Sequence, residues 1–201
     1  MNIQEQCGHI FEAWRQDMAS LFLEAVEKGT GVVERVEMKR TRATGEAEMK
    51  RYAGSPLREL PAPPLTERLL ASELTWLDVT LDFMWWPDAA YDDGRGIDRR
   101  VRGRACEVVR VAPPKPVPGL GAVRMWIDKK TGLLMKAAQL APDGKTIRYF
   151  WVQKVKQFEP EDRWMIRLLE ADSQDGLLRT QLLVDALNDE VLEPLDEKDL
   201  R

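Results

Sequence analysis

Residues 121–156 constrain the fold more than any other stretch, because they read as three strands joined by two tight turns. The run is GAVRMWIDKKTGLLMKAAQLAPDGKTIRYFWVQKVK. Over 122–128, Val123, Met125 and Ile127 share one face. Arg124 and Asp128 lie on the other, with Trp126 between them, the period-two pattern of a half-buried strand. Lys129, Lys130, Thr131 and Gly132 supply a reversal in which Gly132 can take a positive φ. Residues 133–140 return, and Pro142, Asp143 and Gly144 turn the chain again. The third run, 146–156, carries Ile147, Tyr149, Phe150, Trp151, Val152 and Val155. At ~3.3 Å per residue it would exceed ~30 Å, well beyond the common strand length. Strands of that length must twist and coil, so the pattern predicts a curved antiparallel sheet.

Several function classes are disfavoured by composition. Thirty basic residues against 34 acidic ones give a net charge of −4, the wrong balance for a protein that neutralises nucleic-acid phosphates. No run approaches the ~20 apolar residues of a membrane helix. Two cysteines, Cys7 and Cys106, are too few for a disulfide framework and are not spaced for zinc. Cys106 falls in a strand pattern and is expected to be a buried thiol. One histidine, His9, leaves most metal sites and histidine-based catalytic arrangements without their parts. No phosphate-binding P-loop is present, and Gly94-Arg95-Gly96 lacks the strand-then-helix setting of a dinucleotide site. The expectation is therefore a non-enzyme with no metal and no cofactor.

Taken in order, residues 3–28 read as an amphipathic helix, with Ile10, Phe11, Trp14, Met18, Leu21, Phe22 and Ala25 at helical spacing. Such an aromatic stripe would either pack on the sheet or serve as a lid. Residues 31–52 suggest an edge hairpin turning at 43–46. The segment 54–64, GSPLRELPAPP, reads as a surface loop, since proline cannot join a ladder. Thr75 with Asp78 three residues on is a capping-box signal for a short helix over 76–83, followed by the cluster Phe83, Met84, Trp85 and Trp86. Residues 97–104 and 105–111 would pair around Arg102 and Gly103. Arg95, Arg99, Arg100, Arg102 and Arg104 form a basic cluster, either a solvated rim or a dock for an acidic partner or lipid headgroup. About nine strands and two or three helices are expected, mostly antiparallel by loop length.

Five segments together carry a family resemblance: LLASELTWLD, RACEVVRVAPP, RMWIDKKTGLLMKAAQLAPDGKTIRYFWVQKVK, DRWMIRLLEAD and RTQLLVD. In this order they resemble the outer-membrane lipoprotein-sorting protein family, with its LolA/LolB-like fold, over residues 69–187. The resemblance implies a mainly β fold with some α. A curved antiparallel sheet would form an incomplete barrel, with helices covering its concave side. It also implies one domain over 1–201: an N-terminal helix over 1–30, the sheet over 31–187 with a short helix near 75–84, and an acidic tail over 188–201. Members of that family accept acyl chains of lipoproteins, or other lipids, in an apolar cavity in the periplasm. No signal peptide is visible in the chain, which leaves two compartments open: the periplasm, the expected one, with the leader taken as already removed, or the cytoplasm.

On this reading the cavity is lined by Trp14, Trp76, Leu81, Phe83, Trp85, Trp86, Met125, Trp126, Tyr149 and Trp151. Trp85, Trp86 and Trp126 are expected to border the ligand because they adjoin apolar strand faces. Each enclosed methylene contributes ~0.8 kcal/mol, so an acyl chain of about sixteen carbons could gain on the order of 10 kcal/mol. Two rival readings stand beside the carrier. One is a sensor domain of the RseB kind, which would bind a membrane-associated protein partner. The other is an interaction domain whose interior is filled by its own side chains.

Overall fold

The computed structural model describes residues 20–26, 33–40, 47–54, 56, 58–68, 73–158, 163–172, 179–183, 186–187 and 190–191. Strands β1 (Ser20–Val26), β2 (Val33–Arg40), β3 (Ala47–Ala53) and β4 (Arg58–Leu60) form a four-stranded antiparallel sheet in chain order. The hairpin expected over 31–52 is β2–β3, with Val36 opposite Arg51, but it is not at an edge: β1 and β4 flank it, so its charged strands are paired on both sides.

Two readings of the N-terminal region need correction. The helix expected over 3–28 is a strand over Ser20–Val26, paired residue for residue with Val33–Arg40. The run SLFLEAV, five of whose seven residues are apolar, fits either period, and here the ladder to β2 supplies the hydrogen bonds a helix would have made internally. Residues 1–19, including Trp14, lie outside the described residues. The loop over 54–64 contains β4, an exposed three-residue edge strand set between Pro56 and Pro61, where the missing proline N–H groups cost no ladder bonds.

The larger sheet is built around the expected meander. Its strands are β5 (Ala90–Tyr91), β6 (Arg100–Val101), β7 (Arg104–Val111), β8 (Ala122–Asp128), β9 (Leu134–Leu140), β10 (Thr146–Phe158), β11 (Arg163–Asp172) and β12 (Arg179–Leu183). The order is β12-β11-β10-β9-β8-β7-β5, with β6 paired to the end of β7, and the sheet is open. Every ladder between its described strands is antiparallel. Two short strands, β13 (Ala186–Leu187) and β14 (Glu190–Val191), pair with each other outside it. The short ladders β5 and β6 have too few residues to leave a periodic signature.

Each turn of the meander is held by named bonds. At the first, Asp128 N–H donates to Leu133 O and Gly132 N–H to Asp128 O, both at 2.8 Å. The Asp128 carboxylate accepts from the Thr131 hydroxyl at 2.7 Å and from Arg104 at 2.9 Å. At the second, Ala141 N–H donates to Lys145 O at 2.8 Å. Gly121 passes so close to that turn that a β-carbon would sit 2.8 Å from Ala141 O. Only glycine fits there.

Register shifts interrupt the long strands. Ile127 faces Leu134 but Trp126 faces Lys136, leaving Met135 as an extra residue in β9. Further shifts fall near Ile147 and Gln153 in β10. Such bulges bend a strand and increase its twist.

Helix α1 (Trp76–Thr80) and the 3-10 turn Asp82–Trp85 lie on one face of this sheet, the short helix expected near 75–84. They join Val109, Val123, Met125, Ile127, Ala137, Phe150, Val152 and Leu169 in one apolar cluster. A second cluster on the opposite face holds Cys106, Val108, Trp126, Leu133, Met135, Ala138 and Leu140. Cys106 is the buried free thiol anticipated from its strand position.

Candidate functional site

The eight-stranded sheet offers two faces with different chemistry. On the first, the helical segment is packed by its own bulky side chains: Trp76, Leu77, Phe83 and Met84 are all buried. The backbone between α1 and the 3-10 turn bends at Leu81, whose φ of 52° and ψ of 33° place a buried leucine in the left-handed region. That conformation costs a non-glycine residue roughly 1–2 kcal/mol, held here by the burial of Leu81 in the apolar cluster.

A polar latch ties the segment to the sheet. Asp78 accepts from the Thr75 N–H at 2.8 Å and the Thr75 hydroxyl at 2.7 Å. From β9, the Gln139 side-chain amide donates to Asp78 at 2.8 Å and to Thr75 Oγ1 at 2.9 Å. Burial pushes the Asp78 carboxyl up from its ordinary 3.8, opposed by the hydrogen bonds from Thr75 and Gln139 and by the Arg148 charge. Two further bonds anchor the entry to the helix: Glu73 N–H donates to Thr180 Oγ1 at 2.9 Å, and Arg148 donates to Glu73 O at 3.0 Å. From the four-stranded sheet, the Arg51 guanidinium stands 5.8 Å from the centre of the Trp76 ring.

On the second face lies a cavity of about 460 Å³, lined by Gly94, Arg95, Gly96, Ile97, Asp98, Arg100, Val101, Arg124, Trp126, Lys136 and Thr146. The bulge at Met135 creates its floor. Without it Lys136 would share the side of Leu134; with it, Lys136 stands opposite Trp126. Its ammonium rests 4.8 Å from the Trp126 ring centre and 4.5 Å from that of Tyr149. Tyr149 in turn stacks on Trp151 with centres 5.4 Å apart. Partial burial lowers the Lys136 pKa from 10.5, helped by the Arg124 charge and opposed by Asp98.

Residues 94–98 form one wall of the cavity, and the loop that carries them is tied to the sheet. Trp126 Nε1 donates to Asp98 O at 2.8 Å, and Arg124 Nε to Asp92 Oδ2 at 2.7 Å. Burial would raise the Asp92 carboxyl, but the Arg124 bond and charge, the Gly94 N–H and the Arg110 charge hold it below its ordinary value.

The residues expected to line one cavity are divided between these faces. Trp76, Leu81, Phe83, Trp86 and Met125 are buried in the helix-side cluster, and Trp85 packs against it. Trp126 belongs to the opposite face, with Tyr149 packed there and Trp151 stacked on Tyr149. Met125 and Trp126 are chain neighbours, and the strand sends them to opposite sides. The sequence reading did not single out Lys136 or Arg124. A lysine set against aromatics is a signal only once the register is known. Among the described residues, no group of three or more His, Cys, Asp or Glu could hold a metal ion. No described helix is long and apolar enough to cross a membrane.

No protein-family profile matches the chain, and no curated protein matches it. Solved structures do. A domain from Vibrio parahaemolyticus, titled as an outer membrane lipoprotein-sorting protein domain, superposes with a TM-score of 0.64 at 12% identity, covering 96% of this chain and 94% of its own. This chain shares that domain's fold. A DUF1329 family protein from Desulfovibrio piger shares it with a TM-score of 0.58, 11% identity and coverage of 85% and 87%. A LolA superfamily protein from Nitrosomonas europaea does so with a TM-score of 0.54, 13% identity and 96% coverage of both chains. In this chain, the helical segment 74–86 and the meander beneath it make up one candidate face, and the cavity beside Trp126 the other.

Proposed function

We propose that this chain is a periplasmic carrier that takes up the acyl chains of a lipoprotein, or another lipid, between its helical segment and the larger sheet, and passes them toward the outer membrane. The observation that carries this reading is the likeness to a lipoprotein-sorting domain over nearly the full length of both chains. The face itself is chemically suited to the task. Val109, Val123, Met125, Ile127, Phe150 and Val152 present a continuous apolar floor. Trp76, Phe83 and Met84 above it occupy the space an acyl chain would use, so uptake requires the segment to lift. Beyond apolar contact, its attachments include the Asp78–Gln139 latch, the two bonds at Glu73, the Arg51 contact, backbone bonds from Trp76 N–H to Glu67 O and Leu77 N–H to Leu65 O, and the Arg68–Glu73 ion pair, all of which lifting must break or carry along. Carrier proteins must release what they bind, and a displaceable apolar cover serves both steps.

The test is stoichiometric binding of a fluorescent fatty acid to delipidated protein. One ligand per chain is expected, with a change in tryptophan fluorescence as the cover moves. No binding after thorough delipidation would remove the proposal. The packed state of this face favours a second reading, an interaction domain whose interior is filled by its own side chains and takes no cavity ligand. Absence of fatty-acid binding would select it, whereas co-purification of one specific protein partner together with weak lipid transfer would select the RseB-like sensor.

A further inference from the structure

We infer that the face opposite the helical segment carries a second binding site, a pocket for a phosphate-type anion held by Lys136 and Arg95 against Trp126. The chain as a whole is acidic, yet this cavity is lined by four cations, Arg95, Arg100, Arg124 and Lys136, against one carboxylate, Asp98. These charges are not equally committed. Arg124 is engaged by Asp92, and the nearby Arg99 and Arg104 by Asp93 and Asp128. Arg100 donates to Gly103 O. Lys136 and Arg95 form no ion pair among the described residues.

The lysine is the stronger indication. Its ammonium is fixed over two aromatic rings, partly stripped of water and pointed into a cavity. Ring faces attract a cation, but they supply no hydrogen-bond acceptor comparable to an anion. All three ammonium donors suit a compact oxyanion, for which lysine serves as a point charge. Arg95, exposed on the loop whose Asp98 carbonyl accepts from Trp126, lines the same cavity. A volume of about 460 Å³ lies in the usual range of small-ligand sites. It is larger than bare phosphate requires and leaves room for a short organic body beside Trp126. The ligand class is therefore a phosphate ester, free in solution or as the headgroup of an anionic phospholipid. This inference does not rest on the carrier proposal, since it concerns the other side of the sheet.

The test uses the full chain at low ionic strength. Calorimetric titration with glycerol 3-phosphate is expected to give saturable binding at one site, weakening with added salt. Lys136→Met combined with Arg95→Gln is expected to lower affinity at least tenfold. In parallel, phosphatidylcholine vesicles with and without phosphatidylglycerol are mixed with the protein and sedimented. Phosphatidylglycerol-dependent association that glycerol 3-phosphate competes away identifies a lipid headgroup as the ligand. Binding of glycerol 3-phosphate without such association identifies a soluble ester. No saturable binding in either arm overturns the inference, as does equal binding by the folded double variant. If the double variant fails to fold, Arg95→Gln alone, at an exposed loop position, is expected to weaken binding severalfold; unchanged affinity there also overturns it. Fatty-acid binding is measured on the same samples, so a failed carrier and a failed anion site are separable.

Discussion

The two faces of the larger sheet are made by the same strands and have opposite characters. On the helix side, β8 contributes Val123, Met125 and Ile127 to a cluster closed over by Trp76, Phe83 and Met84. On the other side the same strand contributes Arg124 and Trp126 to a cavity edged by cations. Both faces are rich in aromatic residues. What separates them is their neighbours: tryptophan under a helix is core, whereas tryptophan beneath a lysine and an open loop is the floor of a site. Aromatic density alone therefore does not locate a ligand. The partners that the register brings to each ring decide it.

The sharpest way to break this contrast is to truncate one large ring on each face. Trp76 is 0% exposed, so Trp76→Ala is expected to cost roughly 3–5 kcal/mol in denaturant unfolding. Trp151 is only half-buried and stacks on Tyr149, so Trp151→Ala is expected to cost roughly 1–2 kcal/mol. Equal losses would mean that both faces are packed core and that the division drawn here is wrong.

The latch gives the next effect. Asp78→Ala leaves the Thr75 N–H and the Gln139 amide without their buried acceptor, expected to cost roughly 1–3 kcal/mol. Asp78→Asn keeps the shape and most of the bonding, and the two variants separate charge from hydrogen bonding. The Asp78 pKa is raised on folding, so the folded state binds more protons than the unfolded one above pH 3.8. Wild-type stability should then fall as pH rises from 3.8 through the folded pKa, and Asp78→Asn should lack that decline. Parallel pH profiles for wild type and Asp78→Asn would show that the carboxyl is not held up by burial.

On the cavity face, Asp92→Asn breaks the ion pair with Arg124. A loss of roughly 1–2 kcal/mol is expected, because the pair is mostly shielded from solvent. The Asp92 pKa is lowered on folding. Its contribution is present above pH 3.8 and disappears as pH falls through the folded pKa, so the gap between variant and wild type should close in acid. The same change frees the Arg124 charge, and glycerol 3-phosphate affinity is expected to rise severalfold. Unaltered affinity would place the anion away from Arg124.

How far the sequence discloses this molecule follows from the range of each signal. The meander is legible because alternation and turn residues act over a few neighbours, and β8–β10 fall where they were expected. The helix start at Thr75 is legible for the same reason, since Asp78 lies three residues on. β1 is misread because SLFLEAV fits both periods, and only its pairing with β2 decides between them. The division of Met125 from Trp126 can be read from the pleat. The side on which Lys136 falls cannot, because the extra residue at Met135 shifts everything after it and leaves no local mark. Arg95 and Lys136 come from separate strands and loops, and only the folded register brings them to one cavity.

Lys136→Met is the smallest and most discriminating change. Methionine retains the apolar stem over Trp126 and Tyr149 and removes the charge, so a stability change of about 1 kcal/mol or less is expected. The sign should depend on pH. Folding lowers the Lys136 pKa from 10.5, so between the folded value and 10.5 the unfolded chain holds the extra proton. Wild-type stability should rise with pH through that window, and the variant should lack the rise. Phosphate-ester binding should run the other way, fading in wild type as the ammonium loses its proton. A lysine serving only to cover two rings would give the first pH response without the second, and that pairing would reduce the opposite face to solvated packing.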